Sequence, residues 1–424
     1  MKVLLLGSGG REHALALALS RAPSLTQLFI LPGNDGMARE GELVSGIALS
    51  DHAAILGLCR QEGIDLVVIG PEAPLVAGLA DDLAAAGFAV FGPSKAAAQL
   101  EGSKDFTKSV CDAAGIPTAA YATFTDRAGA LAYLRAKGAP IVVKYDGLMA
   151  GKGVTVATSL AEAEEAIAAL YANEPGAKVV IEEMMEGEEA SFFCLIDGET
   201  VVPFGSAQDH KRVFDGDKGP NTGGMGAYSP APVFTEALEA ETLARIIRPT
   251  AREMVRRGMP YRGVLFAGLM LTAEGPKLIE YNCRFGDPEC QALMLRFEGD
   301  LVQVLFAAAT GALDRVNVTL GANHAVGIVM AAKGYPGEYG KGSVIRGLDT
   351  AGTLPGVTIF HAGTKTVGGE ITSYGGRVLT VAATGTTLRE ARDRAYAAVD
   401  AIDWPEGFCR RDIAARGLAR LGQD

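Results

Sequence analysis

The chain has little positive charge to spare: 39 Lys and Arg face 50 Asp and Glu, for a formal net charge of −11. So acidic a chain offers no broad footprint for nucleic acid or an anionic membrane surface, since both draw on clustered Lys and Arg. A small anion met by locally placed cations remains compatible. Cysteine is also sparse. Six are scattered along 424 residues, only Cys283 and Cys290 lie near one another, and no C-x-x-C pair occurs. This excludes a zinc ribbon and a dithiol redox motif, and reduced thiols in a cytoplasmic protein are expected. No apolar run is long enough to span a bilayer. The opening MKVLLLGSGGREHALALAL imitates a signal peptide, but Gly7 to Gly10 with charged Arg11 and Glu12 interrupt its apolar segment. Neither export nor a membrane anchor is expected. Internal repeats and low-complexity tracts are missing as well.

What is present suggests two to four domains at this length. From residue 1 to about 100, short apolar runs at Val3–Leu6, Leu28–Leu31, Leu66–Ile69 and Ala89–Phe91 alternate with helical stretches. That is the pattern of an open parallel, Rossmann-like sheet. Each run ends in a Gly or Pro turn (GSGG, PGN, GPE, GPS), and in such sheets ligands bind where these turns gather. The segment EGSKDFTKSVCDAAGIP (101–117) reads as a helix closed by Gly115 and Pro117 and marks a boundary. IVVKYD (141–146), GLMAGKG (147–153) and VTVAT (154–158) form an expected hairpin, followed by a helix over Leu160–Tyr171 and a strand at 178–183. Residues 208–230 are too rich in Gly, Asp and Lys for regular structure and are expected to form a long functional loop. A helix at 235–258, paired strands at 263–271 and 277–282, and a small mixed α/β unit beyond residue 315 complete the outline. The expected divisions are 1–102, 103–315 with a mobile flap at about 120–190, and 322–424.

GSGGREH (7–13) suits a phosphate-binding turn, because free N–H groups and the helix dipole at a helix start attract anions. The dinucleotide fingerprint G-x-G-x-x-G places a third glycine where Glu12 stands, which counts against an NAD-dependent oxidoreductase. GLMAGKG is one residue short of a Walker loop and has Gly153 where Ser or Thr would bind metal. Lys144 and Lys152 nevertheless flank a glycine flap able to cover phosphates, although two lysines beside a hairpin also suit a solvated surface. Glu182 to Glu189 combine backbone groups, apolar side chains and carboxylates of the kind a nucleotide requires. Glu280 and Asn282 stand two apart on a strand and share a face, as oxygen ligands of Mg²⁺ would.

Lys144, the glycine flap with Lys152, E-x-x-M-x-G-x-E at 182–189 and E-x-N at 280–282 follow one another in an order that resembles the ATP-grasp superfamily. Within it the chain resembles the phosphoribosylamine–glycine ligase family. The resemblance rests on GSGGREHALA, GPEAPL (70–75), LEGSK (100–104), KYDGLMAGKGV, IEEMMEGEEASF, QDHKR with GPNTGGMGAYSP, IEYNCRFGDPE, FHAGTK (360–365) and GGRVL (375–379). Two departures stand out: Tyr145 replaces the usual small residue after the flap-strand lysine, and FAGLM (266–270) lacks an acidic metal ligand.

The resemblance implies a two-lobed ATP-grasp core between the parallel-sheet domain and the small C-terminal domain. It implies ATP-dependent joining of glycine to 5-phosphoribosylamine through glycyl phosphate, with Mg²⁺ or Mn²⁺ and small-molecule substrates; the sequence is compatible with a monomer and does not fix the oligomeric state. ATP is then expected on Lys104, Lys144, Gly151, Lys152, Gly153, Glu182, Glu183, Met184, Met185 and Glu189, with the metal on Glu280 and Asn282. The substrates are expected on Gly9, Gly10, Arg11, Glu12, Gly33, Asn34, Pro71, Glu72, Asp209, Lys211, Arg212, Gly223 and Gly224. Lys152, Arg284 and Asp287 are the expected catalytic residues, the last two also contacting substrate. His13 and His210 are left as packed imidazoles. Within the superfamily an ATP-dependent carboxylase is the nearest alternative, and a non-catalytic nucleotide-binding module is a further one.

Overall fold

A computed structural model describes residues 1–148 and 153–423. Its N-terminal sheet is wholly parallel, with the strand Lys2–Gly7 at the centre. Gln27–Pro32 and then Glu42–Leu43 lie on one side of it, Leu66–Ile69 and then Ala89–Phe91 on the other. The order of addition therefore reverses at Lys2–Gly7, and the crevice of an open α/β sheet opens at the carboxyl end of such a strand. The GSGG turn lies at that point. Helix Gly10–Ser20 starts there, with Gly9 extended at its N-cap.

The expected helix over 101–117 is broken. A short turn of helix, Gln99–Gly102, precedes Lys104–Ala114, because Ser103 is extended and its hydroxyl accepts the Phe106 N–H as a fresh N-cap. Gly115 closes the second helix at φ +64°, a left-handed conformation that glycine adopts freely.

The flap lobe is a four-stranded antiparallel sheet in the order Tyr121–Phe124, Val179–Glu183, Ile141–Tyr145, Val154–Ala157. Helices Arg127–Lys137 and Leu160–Asn173 cover one face. Ile141, Val143, Val179 and Ile181 point into that helical layer with Leu134 and Ile167. By the two-residue period of a strand, Lys144 and Glu182 project from the opposite face.

The second sheet has nine strands. Its path runs Gly275–Asn282, Arg262–Thr272, Glu188–Asp197, Thr200–Asp209, Gly226–Ser229, His324–Ala332, Arg377–Gly385, Val357–His361, with Gly407–Phe408 pairing beside His324–Ala332. The expectation of an irregular loop over 208–230 needs correction. Arg212–Phe214 pairs with Lys218–Asn221 as a hairpin, and Gly226–Ser229 is a fully buried strand joining the central strands to those after residue 324. Glycine content misled here: Gly226 is required, since a Cβ on it would meet Gly327 O at 2.8 Å and Ile413 Cδ1 at 2.7 Å. One face of the sheet packs on the helical stretch 236–256 through Phe192, Cys194, Ile246 and Met254. The other packs through Phe193, Phe204 and Phe266 on helices Glu289–Arg296 and Leu301–Thr310. Among the described residues no helix is long and apolar enough to cross a membrane.

Candidate active site

Strand registers decide which side chains meet. Glu280 lies opposite Gly268, and Gly268 opposite Ser191, so Glu280, Gly268 and Ser191 form one row across three strands. Asn282, Phe266 and Phe193 form the next row on the same face. Glu280 and Asn282 are half-buried there, and the bare Gly268 leaves room beside the Glu280 carboxylate. The missing acid of the FAGLM segment is thus a gap at one identifiable place. Among the described residues no three His, Cys, Asp or Glu side chains are grouped to hold a metal. A Glu–Asn oxygen pair fits Mg²⁺ or Mn²⁺ when phosphate oxygens and water supply the remaining positions.

Facing this pair across the cleft is the flap lobe. Lys144 Nζ donates to Ile279 O at 3.3 Å, beside Glu280, and ion-pairs with Glu182 at 2.8 Å. The other Glu182 oxygen lies 3.2 Å from Lys108 Nζ, which also donates to Thr118 Oγ1 at 2.7 Å. All three charged side chains are at most 4 % exposed. Two buried ammonium groups around one carboxylate leave an uncompensated positive charge that an anionic ligand would offset. Lys108, on the inner face of helix Lys104–Ala114, escaped sequence reasoning; its spacing of four from Lys104 was the available signal. Glu182 spends its carboxylate on the lysines, so only its backbone is free for a base edge.

Lys104 donates to Gly147 O at 3.1 Å, and burial holds its ammonium below the usual lysine range while Glu280 pulls it back up. The Asp146 carboxylate accepts the N–H groups of Lys104 and Asp105 at 2.6 and 3.2 Å, joining the end of the flap strand to the helix start. Tyr145 packs against Gly147 and donates to Glu174 at 2.7 Å, so the unusual tyrosine braces the flap without displacing a charge. Gly153 O accepts the Tyr145 N–H at 2.8 Å; Gly151 and Lys152 lie outside the described residues.

Met184 and Met185 are half-buried in the segment that leaves the flap sheet at Glu183 and enters the nine-stranded sheet at Glu188, which makes it the link between the lobes. Glu183 accepts the Ala120 N–H at 3.0 Å. Glu189 pairs with Lys211 at 2.5 Å, and that ammonium is the main cause of its depressed pKa. Asp209 faces the same lysine, but burial is the larger influence and raises its pKa. Arg212 instead donates to Gly219 O within its own hairpin at 2.7 Å.

At the parallel-sheet crevice Glu12 turns back to accept the Gly9 N–H at 2.8 Å and the Arg11 Nε–H at 2.6 Å. Its side chain lies across Gly7 and Gly70, where any Cβ would fall within 2.4 Å of it. Gly33, at φ +68°, donates to Gly7 O at 3.1 Å, and Asn34 donates to Ser8 O at 2.8 Å and His361 O at 3.0 Å. Pro71 caps the helix Glu72–Ala77. Arg284 lies between Glu72 at 3.3 Å and Glu101 at 3.1 Å.

Asp287 is held by Gln291 Nε2 at 2.8 Å and by Arg377 at 3.4 Å. Although burial opposes ionisation, Arg377 and Arg11 keep its carboxyl below the usual range. Arg377 also donates to the carbonyl oxygens of Gly223, Gly224 and Asp287 at 2.9, 3.2 and 2.6 Å. Gln291 lies outside the segments singled out from the sequence, and Arg377, although it stands within the GGRVL segment, was given no role there. A cavity of about 310 Å³ opens at this junction, lined by Ser8, Gly9, Asp287, Tyr335, Arg377 and Thr380. The structure thus brings together Lys104, Lys144 and Glu280 on one side, and Gly9, Arg11, Arg284 and Asp287 on the other.

Family models for phosphoribosylglycinamide synthetase match nearly end to end: the N domain over 1–101, the ATP-grasp (A) domain over 102–290 and the C domain over 325–416. A phosphoribosylamine–glycine ligase of Mesorhizobium japonicum is 59 % identical over 423 residues, covering 99 % of both chains. The crystal structure of a phosphoribosylamine–glycine ligase from Thermotoga maritima covers 98 % of this chain and 100 % of its own at 33 % identity, with a TM-score of 0.83. A biotin carboxylase domain of the Hydrogenobacter thermophilus 2-oxoglutarate carboxylase shares the fold, with a TM-score of 0.71 over 96 % of this chain and 91 % of its own, at only 17 % identity. The chain belongs to the phosphoribosylglycinamide synthetase family of ATP-grasp enzymes.

Proposed function

We propose that the chain joins glycine to 5-phosphoribosylamine at the expense of ATP, releasing glycinamide ribonucleotide, ADP and phosphate, as a step of purine biosynthesis in the cytoplasm. The convergence of Lys104, Lys144 and Glu280 between the two lobes carries this reading. Its relatives' shared name points to the same ligation and away from a carboxylase.

A carboxylate resists amine attack because oxide would have to leave. In the proposed reaction an oxygen of glycine attacks the γ-phosphorus and ADP departs; the amine then attacks the acyl carbon and phosphate departs. Phosphoryl transfer of this kind needs mainly positioning and charge neutralisation. We assign Lys104, Lys144 and Lys152 to the phosphates, the backbone from Glu182 to Met185 to adenine, and Glu189 to the ribose. Glu280 and Asn282 would hold Mg²⁺ or Mn²⁺, which supplies charge neutralisation at the phosphates. Arg284 and Asp287 are assigned to glycine or its acyl phosphate, and the cavity beside Gly9, Gly10 and Arg11 to the phosphosugar amine. Gly223 and Gly224 form part of that wall through Arg377. Because an acyl phosphate hydrolyses, the flap over 147–153 must exclude water. The division into units 1–102, 103–315 and 322–424 follows the same reading.

ADP release measured with glycine and freshly generated phosphoribosylamine, omitting each in turn, tests the proposal. Full turnover should require both. Bicarbonate-stimulated phosphate release without any glycine dependence would place the chain with the carboxylases.

A further inference from the structure

Glu289 takes no part in the assignments above, yet it is a carboxylate only 3 % exposed at the junction of both half-sites. It opens the helix Glu289–Arg296, two residues after Asp287 at the cavity wall. Its Oε1 accepts the Ser191 hydroxyl at 3.3 Å. Ser191 shares a sheet row with Gly268 and Glu280, so the carboxylate reaches the face that carries the metal-binding pair. Its other oxygen lies against Gly286, where a Cβ would come within 2.4 Å, so the absence of a side chain there makes its seat. The charged groups facing it are Asp209 at the end of Thr200–Asp209, Lys211 beyond it and Arg284 after the metal strand. Cys290, next in the chain, is buried and holds its proton.

Lys211 is already paired with Glu189 at 2.5 Å, so it cannot also neutralise both Asp209 and Glu289, and the cluster carries an excess of carboxylates. A buried carboxylate beside a second acid that is not fully neutralised holds a proton loosely, which is the condition for a group that takes up and returns a proton near neutrality. Burial first and Asp209 second push the Glu289 carboxyl up to about 7.

We propose that Glu289 accepts the proton of the attacking amine in the second half of the ligation. As the C–N bond forms and the acyl C–O bond breaks, one N–H proton passes to the Glu289 carboxylate. The departing phosphate then takes that proton, leaves as hydrogen phosphate and regenerates the carboxylate. Protons and charge balance with no other reactant. Glycine activation does not use Glu289, since a carboxylate oxygen attacking phosphorus has no proton to lose.

The inference rests on the ligase reading, and one experiment separates the two. Acyl phosphate is trapped with hydroxylamine as the hydroxamate, and ligation is followed in parallel with fresh phosphoribosylamine, for wild type, Glu289→Gln and Ser191→Ala. The wild type must form hydroxamate from glycine and ATP; if it does not, the ligase reading itself fails. Glu289→Gln, which keeps the shape and the Ser191 contact, should form hydroxamate within twofold of wild type while ligation falls about 10²–10³-fold. The acid limb of kcat near pH 7 should vanish in that variant. In Ser191→Ala the limb should move to higher pH, because a hydrogen bond that stabilises the anion is lost. Unchanged ligation in Glu289→Gln, an equal fall in both half-reactions, or an acid limb that stays in place would each overturn the inference.

Discussion

Lys144 Nζ lies 2.8 Å from a carboxylate oxygen of Glu182, and both side chains are almost wholly shielded from water. The same carboxylate serves Lys108. Glu182→Gln should therefore leave two buried ammonium groups without their counter-charge and destabilise the flap junction by about 3–5 kcal/mol. Thermal melts with and without ATP check this: the nucleotide should restore more stability to the variant than to wild type, because its phosphates supply the missing negative charge. Equal stabilisation of the two proteins would remove the lysine pair from the phosphate site.

Gly268→Asp tests the gap beside Glu280 and Asn282, the proposed metal ligands. A Cβ there meets Glu280 Cγ at 3.6 Å, an ordinary contact, so the side chain is accommodated. The added carboxylate would stand beside Glu280 and raise the number of charged oxygen ligands. Affinity for Mn²⁺ in the absence of nucleotide should rise on the order of tenfold, measured by titration calorimetry. Unchanged affinity would mean that Glu280 is not a ligand.

The parallel sheet was legible because its apolar runs are short and closed by Gly or Pro turns; all four runs read from the sequence are strands. The flap hairpin was equally legible. Gly226–Ser229 was not, because its burial comes from neighbours some hundred residues later, at Ala325–Ile328, which no local pattern reports. The site divides along the same line. Lys104, Lys144, Glu280 and Asn282 belong to compact motifs, whereas Lys108, Gln291 and Arg377 acquire their places only when distant elements pack together.

Glu12→Gly would complete the spacing G-x-G-x-x-G without creating a dinucleotide site. The wild-type carboxylate caps the Gly9 N–H, pairs with Arg11 and fills the space over Gly7 and Gly70. Its removal should cost about 3–5 kcal/mol, because the buried Arg11 loses the carboxylate at its Nε. The expected readouts are a lower melting temperature and no gain of NADH fluorescence on titration. Tight NADH binding by the variant would mean that Glu12 excludes the dinucleotide instead of building the turn.

Acid should weaken the fold through its buried imidazoles. Burial is the first cause that lowers His13 and His210 to about 3, and it lowers His361 to about 4. Each must stay neutral in the folded chain: His13 Nδ1 accepts the His361 N–H at 2.8 Å, and His210 Nε2 accepts the Ala414 N–H at 3.2 Å. With an unfolded pKa near 6.5, the unfolded chain binds more protons below that pH. Stability contributed by these groups is therefore complete above about pH 6.5 and declines as pH falls towards 3–4, at up to about 1.4 kcal/mol per pH unit for each imidazole. Melting temperatures recorded from pH 7.5 to 4.5 should fall steadily. His210→Gln, whose amide oxygen can take the Ala414 N–H, should show a shallower fall, because one of the three protonations is gone. Identical slopes for the two proteins would show that His210 takes up its proton as readily in the folded chain as in the unfolded one, so that its bond from Ala414 does not hold it neutral.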